Sequence, residues 1–235
     1  MDAAEIKRRV GRQAAEELVH SGMKLGLGTG STAIETVRRV GELLREKVLR
    51  DILAVPTSFQ TEVACRELGI PLRSLNDPEI GGRLDLTIDG ADEVDPAWLL
   101  IKGGGAAMLI EKIVAHASLN YCIIVDASKI VQRLGEKAPV PVELVPEALT
   151  TVRRSLEALG GQPVLRMAKM KDGPVITDHG NFVLDVRFPA PFEPRALERE
   201  IMLIPGVMAH GIFTRPVSSL IVGWPDGRSD HRKRV

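Results

Sequence analysis

Lys24-Leu25-Gly26-Leu27-Gly28-Thr29-Gly30-Ser31-Thr32 is the stretch on which the fold reading turns. Lys24 to Gly28 reads as a short strand ending in a glycine turn. Thr32 to Glu46 then carries Ile34, Val37, Val40, Leu43 and Leu44 at helical spacing. The same strand-then-helix unit recurs downstream. Ile52 to Val55 is strand-like, and Gln60 to Leu68 is a helix stopped by Gly69. Leu84 to Ile88 is a strand that delivers the chain to Asp89, and Leu99-Leu100-Ile101 is a short one before a run of glycines. A helix from about Ala106 to Ser118 and an apolar strand from Tyr121 to Val125 complete the series. Such alternation predicts an α/β fold, a mostly parallel sheet with helices on both faces.

At Pro139-Val140-Pro141 the character changes. Proline cannot donate to a strand ladder, so this segment reads as a linker and not as part of a central strand. A strand (Val142 to Leu144) and a helix (Pro146 to Leu159) follow. Then come strands around Gln162 to Arg166 and Asn181 to Val186, and a helix from Pro194 to Met202. This order suggests a smaller α+β module of the split βαβ, ferredoxin-like kind. Met208 to Phe213 and Ser219 to Val222 are strand-like and are expected to rejoin the first domain. The expected division is therefore 1–137 with 208–235 as a Rossmann-like domain, and 138–207 as the smaller one.

Composition narrows the function classes. The 235 residues are 44% hydrophobic, enough for a full core. Lys+Arg and Asp+Glu are both 31, a balance that favours neither nucleic-acid nor membrane-surface binding. The basic tail His231-Arg232-Lys233-Arg234 reads as a solvated end. Two cysteines, Cys65 and Cys122, make no framework and point to buried inert thiols in a reduced cytoplasmic setting. The first helix is amphipathic and unlike a signal peptide, and no apolar run is long enough to span a membrane. Five scattered histidines show no metal-ligand spacing, so neither metal nor cofactor is expected.

Four groups of residues carry candidate chemistry. The turn Gly28-Thr29-Gly30-Ser31-Thr32 offers backbone N–H groups, hydroxyls and a helix N-terminus to an anion such as phosphate. The plain alternative is a tight turn with an N-capping serine. It fits neither the dinucleotide pattern, since the sixth position is Ser31, nor the ATP-type loop, since no lysine precedes the hydroxyls. Asp89 and Asp92 in Asp89-Gly90-Ala91-Asp92-Glu93 either cap or order a turn, or face a ligand at a strand's carboxyl end. Lys102, before Gly103-Gly104-Gly105, is placed to stabilise an oxyanion; a Schiff base is chemically open to it but not required. Glu111 lies in the helix that this loop opens. It reads either as a solvated carboxylate paired with a neighbour or as a partly desolvated general base.

Together these residues resemble the ribose-5-phosphate isomerase family of type A. The resemblance rests on Gly28-Thr29-Gly30-Ser31-Thr32, Asp89-Gly90-Ala91-Asp92-Glu93, Lys102-Gly103-Gly104-Gly105-Ala106-Ala107 with Glu111, and Val125-Asp126-Ala127-Ser128-Lys129. Weaker similarity runs through Pro139-Val140-Pro141-Val142-Glu143 and Ile204-Pro205-Gly206-Val207 to Pro225-Asp226-Gly227. The resemblance implies metal-free interconversion of D-ribose 5-phosphate and D-ribulose 5-phosphate through an enediolate, in the non-oxidative pentose phosphate pathway. It implies Glu111 as the base between C2 and C1, Asp89 as proton shuttle between the oxygens, and Asp92 as an aid to sugar binding and ring opening. Lys102 with Gly103, Gly104 and Gly105 would stabilise the enediolate. Thr29, Gly30, Ser31, Thr32, Gly90, Ala91, Lys129 and Lys7 would bind substrate, and the chain would form a homodimer or homotetramer.

Two other readings compete. An amino-sugar-phosphate deaminase or sugar lactonase calls for a histidine near the acidic motif, where this sequence has none. A sugar-phosphate-sensing regulator calls for a helix-turn-helix module, for which there is no room before Gly26.

Overall fold

The computed structural model describes residues 1–189 and 191–234. Along the chain run α1 (Ala3–Leu18), β1 (Lys24–Leu27), α2 (Ala33–Arg45), β2 (Leu53–Pro56), α3 (Phe59–Leu68) and β3 (Leu84–Asp89). Next come β4 (Glu93–Val94), β5 (Leu100–Ile101), α4 (Met108–Ala117), β6 (Ser118–Asp126) and β7 (Val140–Leu144). The last third holds α5 (Leu149–Ala158), β8 (Gln162–Leu165), β9 (Phe182–Arg187) and α6 (Pro194–Met202). It ends with β10 (Val207–His210), β11 (Ile212–Phe213), β12 (Ser219–Gly223) and β13 (Ser229–Lys233). The chain divides into two compact units. One comprises Met1–Ala91, Ile110–Lys129 and the residues from Arg215 onward; the other comprises Asp92–Leu109 and Ile130–Thr214.

The first unit is built on a six-stranded sheet in the order β13-β12-β6-β3-β1-β2. Every pairing from β12 to β2 is parallel, and β13 adds antiparallel at one edge. The mostly parallel α/β expectation therefore holds. Parallel strands buried on both faces read as continuous apolar runs, which is why Tyr121 to Val125 in β6 is entirely buried. Val10, Ala14, Leu25, Leu27, Val37, Val40, Ile88, Ile124 and Ile221 belong to one apolar cluster that joins α1, α2 and the sheet. Cys65 and Cys122 are both buried, and loss of water pushes each thiol up to about 12. They are inert, as expected.

β13 is the part of this sheet that the sequence reading missed. His231, Arg232 and Lys233 belong to an ordered edge strand, with Arg232 and Lys233 exposed: Leu220 pairs with Arg232, and His231 Nδ1 lies 2.7 Å from Glu17 Oε2 on α1. Charged residues on an edge strand discourage pairing with further strands, and they also hide the strand from a hydrophobic-period search.

The second unit carries a four-stranded antiparallel sheet ordered β10-β7-β9-β8 and a small three-stranded one ordered β11-β5-β4. α5 and α6 cover the larger sheet through Val152, Leu156, Leu197 and Ile201, which pack with Val140, Val142, Leu144, Leu184 and Val186. This is the split βαβ arrangement. Its sixth element is β10, which pairs with β7 through His210↔Val142 and Ala209↔Glu143. Met208 to His210, expected with the first domain, thus takes the place beside β7 that five elements would leave as an edge.

Pro141 differs from expectation as well. It lies inside β7, a strand paired on both sides, where a linker was expected. The Pro141 carbonyl accepts the Gly211 N–H at 2.7 Å, so the ring nitrogen also points to that side of the strand. There the register with β10 stops at Val142, one residue short, and no ladder donor is required. Gly211 makes room for the ring: a Cβ on it would meet Pro141 Cδ at 2.5 Å.

Candidate active site

In the first unit the candidate turn sits at the carboxyl ends of adjacent parallel strands. β1 and β3 are in register at Leu27↔Ile88, so the Gly28–Thr32 turn leaves the sheet beside Asp89. Gly28 is required by this approach, because a Cβ there would lie 2.1 Å from Asp89 Oδ1. Asp89 is fully buried, and its Oδ1 accepts the Gly90 N–H at 2.7 Å and the Thr29 N–H at 3.2 Å. The Thr29 hydroxyl lies 2.7 Å from both Thr57 Oγ1 and Ser58 Oγ, and Thr61 donates to the Gly28 carbonyl at 2.8 Å. Gly30, at φ +102°, turns the chain into α2 while its N–H donates to Gln60 Oε1 at 3.1 Å.

The plain reading of this turn is a tight turn with an N-capping serine, but Ser31 does not hold the cap position. Thr32 holds the cap position of α2, but its side chain makes no capping hydrogen bond. Lys7, from α1, donates to Ser31 Oγ at 3.0 Å and so brings a cation to the same turn. Hydroxyls, a helix N-terminus and an ammonium together suit a phosphate. β6 follows β3 in the sheet and leads into a single 3₁₀ turn, Ala127–Lys129. Asp126 shapes this turn by accepting from both the backbone N–H and the hydroxyl of Ser128, and Lys129 ends it. Glu111, on α4, is only 4% exposed, which rules out the solvated-carboxylate reading.

The second unit holds the other candidate residues close together. Asp92 precedes β4 and donates its backbone N–H to Ile101 O at 2.7 Å, while its Oδ2 accepts the Gly104 N–H at 2.8 Å. A Cβ on Gly104 would sit 2.8 Å from Asp92 Oδ1, so a side chain there would displace the carboxylate. Gly103 adopts φ +99°, a conformation that favours glycine. Lys102 is 2% exposed, and its ammonium lies 5.6 Å from the centroid of the Phe213 ring. A ring face at that distance attracts a cation that has lost most of its water. Gly105 is exposed.

Several supporting side chains escaped the sequence reading. Gln60, Thr57, Ser58 and Thr61 hold the turn around Thr29, and no motif announces them. Glu93, quoted only as part of the acidic motif, is fully buried and accepts three backbone N–H groups, from Gly135, Lys137 and Ala138, at 2.5–2.6 Å. Asp95 accepts the N–H groups of Ala97 and Leu99, the ordinary turn chemistry expected of it. Among the described residues, no group of three or more His, Cys, Asp or Glu side chains is placed to hold a metal ion.

Comparison with known proteins bears on what these groups serve. The family pattern described as ribose 5-phosphate isomerase A (phosphoriboisomerase A) matches residues 53–227. The chain belongs to the ribose 5-phosphate isomerase A family. It is 51% identical to ribose-5-phosphate isomerase A of Thermosynechococcus vestitus over 222 residues, covering 94% of this chain and 93% of that one. With the Treponema denticola protein of the same name it shares 46% over 234 residues, covering 97% and 98%. Among solved structures, ribose 5-phosphate isomerase A from Methanocaldococcus jannaschii matches with a TM-score of 0.92 at 41% identity, over 99% of this chain and 100% of that one. A D-ribose-5-phosphate isomerase in complex with phospho-erythronic acid matches with a TM-score of 0.94 at 39% identity, over the whole of both chains.

Proposed function

We propose that this aldose–ketose isomerase of the ribose 5-phosphate isomerase A family interconverts D-ribose 5-phosphate and D-ribulose 5-phosphate by metal-free proton transfer through an enediolate. The observation that carries the reading is the withdrawal from water of three ionisable motif residues. Asp89 is 0%, Lys102 2% and Glu111 4% exposed. Ionisable groups are costly to bury, and active sites are where proteins accept that cost. The phospho-erythronic acid held by the matched isomerase is a sugar-acid phosphate, the class of ligand that the Thr29–Thr32 turn suits.

In this reading Glu111 takes the proton from C2 of the aldose and returns it to C1. Asp89 moves a proton between the hydroxyl and carbonyl oxygens, and Asp92 helps bind the sugar and open its ring. Lys102 and the neighbouring glycine N–H groups offset the negative charge that grows on the enediolate oxygen. Gly90 and Ala91 line the sugar, while Thr29, Gly30, Ser31, Thr32, Lys7 and Lys129 hold the phosphate. The reaction belongs to the non-oxidative pentose phosphate pathway, in the cytoplasm, and the enzyme acts as a homodimer or homotetramer. Among the described residues no helix is long and apolar enough to cross a membrane.

Turnover of D-ribose 5-phosphate in D₂O containing EDTA tests the proposal. Deuterium at C1 of the ribulose 5-phosphate product is expected. Absence of turnover overturns it, as does complete carriage of the C2 hydrogen to C1 that persists undiminished in Glu111→Gln, the mark of a hydride shift.

A further inference from the structure

Two consecutive peptide units of the triple-glycine loop are gripped by one side chain that no motif contains. Arg166, just beyond the end of β8, donates from Nη1 to the carbonyls of Gly103 at 3.0 Å and Gly104 at 3.2 Å. The rest of its guanidinium is committed to Asp185 on β9: Nε lies 2.9 Å from Oδ2 and Nη2 2.5 Å from Oδ1. This two-pronged carboxylate pairing fixes the plane of the guanidinium and therefore the direction of Nη1. The Arg166 backbone is itself tied down, its N–H to Val183 O at 2.9 Å and its carbonyl to the Val175 N–H at 2.8 Å.

The consequence follows from peptide geometry. In a trans peptide the carbonyl and the next residue's N–H point in opposite directions. The 103–104 unit is held at both ends, its carbonyl by Arg166 and its N–H by Asp92 at 2.8 Å. In the 104–105 unit the carbonyl is again turned to Arg166, so the Gly105 N–H points away from the arginine at an exposed residue. The Gly103 carbonyl also accepts the Ala106 N–H at 3.0 Å, which steadies the 103–104 plane from within the loop. Glycines impose little conformation of their own, so the 104–105 plane depends more on the arginine's grip.

We propose that Arg166, aligned by Asp185, is a positioning residue for the isomerisation. It sets the peptide planes of Gly103–Gly105 so that the Gly105 N–H is presented to the developing enediolate oxygen. This rests on the reading of Lys102 and the glycine loop as the oxyanion-stabilising part of the site. The pair touches no reacting atom; it acts through the loop backbone.

Kinetics of Arg166→Met, Arg166→Lys and Asp185→Asn with D-ribose 5-phosphate, alongside Lys102→Met, test the inference. For Arg166→Met, kcat is expected to fall about 10- to 100-fold, the loss typical of a misplaced catalytic geometry, with KM changed less than about twofold. Guanidinium or methylguanidinium ion added to Arg166→Met should restore part of kcat, which a general loss of fold would not allow. Arg166→Lys should remain impaired, because an ammonium cannot reach both carbonyls while pairing two-pronged with Asp185. Asp185→Asn, the milder change, should fall less and in kcat alone. Wild-type kcat in both Arg166→Met and Asp185→Asn, with kcat strongly reduced in Lys102→Met, overturns the inference and leaves the site reading standing. Wild-type kcat in Lys102→Met overturns the site reading instead. A kcat loss that follows the unfolded fraction, with no rescue by guanidinium, also overturns the positioning role.

Discussion

The glycine turn at Gly28–Gly30 and the triple-glycine loop at Gly103–Gly105 both carry backbone past an acidic side chain, and both are held by a residue far away in sequence. Asp89 is 60 positions from Thr29, and Arg166 is 63 from Gly103. Separation is nearly equal, yet only the first was partly open to reading in advance. Asp89 and the Thr29 turn lie in recognisable motifs at the carboxyl ends of two strands, and the structure makes those strands neighbours. Arg166 lies in no motif and meets the loop only through the packing of an antiparallel module. In the proposed reading the chemical tasks differ as well: the turn gathers hydroxyls and cations for binding, whereas the loop gathers a cation and N–H groups for a growing charge.

If that division of labour is right, substitutions in the two regions must separate kcat from KM. The largest effect is expected from the base itself, since general-base catalysis is worth about 10²–10⁴-fold. Glu111→Gln should lower kcat by that amount with KM nearly unchanged, and near wild-type kcat would refute its role. Lys102→Met comes next, with kcat down about 10²–10³-fold, as for loss of one oxyanion donor. A change confined to KM would break the comparison, because it would make the loop a binding element. Lys129→Ala should do the reverse, raising KM about 10- to 100-fold for one lost hydrogen bond to a charged group while kcat stays within about twofold. Steady-state kinetics on purified variants decides all three.

Two glycine substitutions sharpen the steric half of the comparison. Gly28→Ala forces a methyl to within 2.1 Å of Asp89 Oδ1. Urea unfolding should show a loss of about 1–3 kcal/mol, as for an overpacked site. Gly90→Ala is the smallest effect expected. Its nearest neighbour would be Ile124 O at 3.9 Å, and unfolding should shift by less than about 0.5 kcal/mol. Equal losses in the two variants would mean that Asp89 does not demand the glycine at Gly28.

Much of the fold could be read directly. Apolar runs alternating with helical spacing gave the parallel sheet, because buried parallel strands and amphipathic helices leave different periodicities. The candidate residues were legible for another reason. Thr29 to Thr32, Asp89, Asp92, Lys102 to Gly105 and Lys129 lie near glycines or strand ends, where chemistry imposes a pattern on neighbours, and Glu111 lies in the helix that the glycine loop opens. Other features were hidden. Pro141 broke a rule for strands because the rule concerns where the missing N–H points, and only the end of β10 at His210 reveals that. The β13 edge strand is polar throughout, so it carried no hydrophobic period to find.

The sequence by itself determined most element types, the parallel sheet and the candidates proposed to bind a phosphate and move a proton. These follow from periodicity and from side-chain chemistry within a few positions. Only the tertiary structure decided that Asp89, Lys102 and Glu111 are withdrawn from water, that β10 closes the smaller sheet, and that Arg166 with Asp185 grips the glycine loop. Burial and long-range hydrogen bonds depend on which surfaces meet, and a local pattern carries no record of its distant partner.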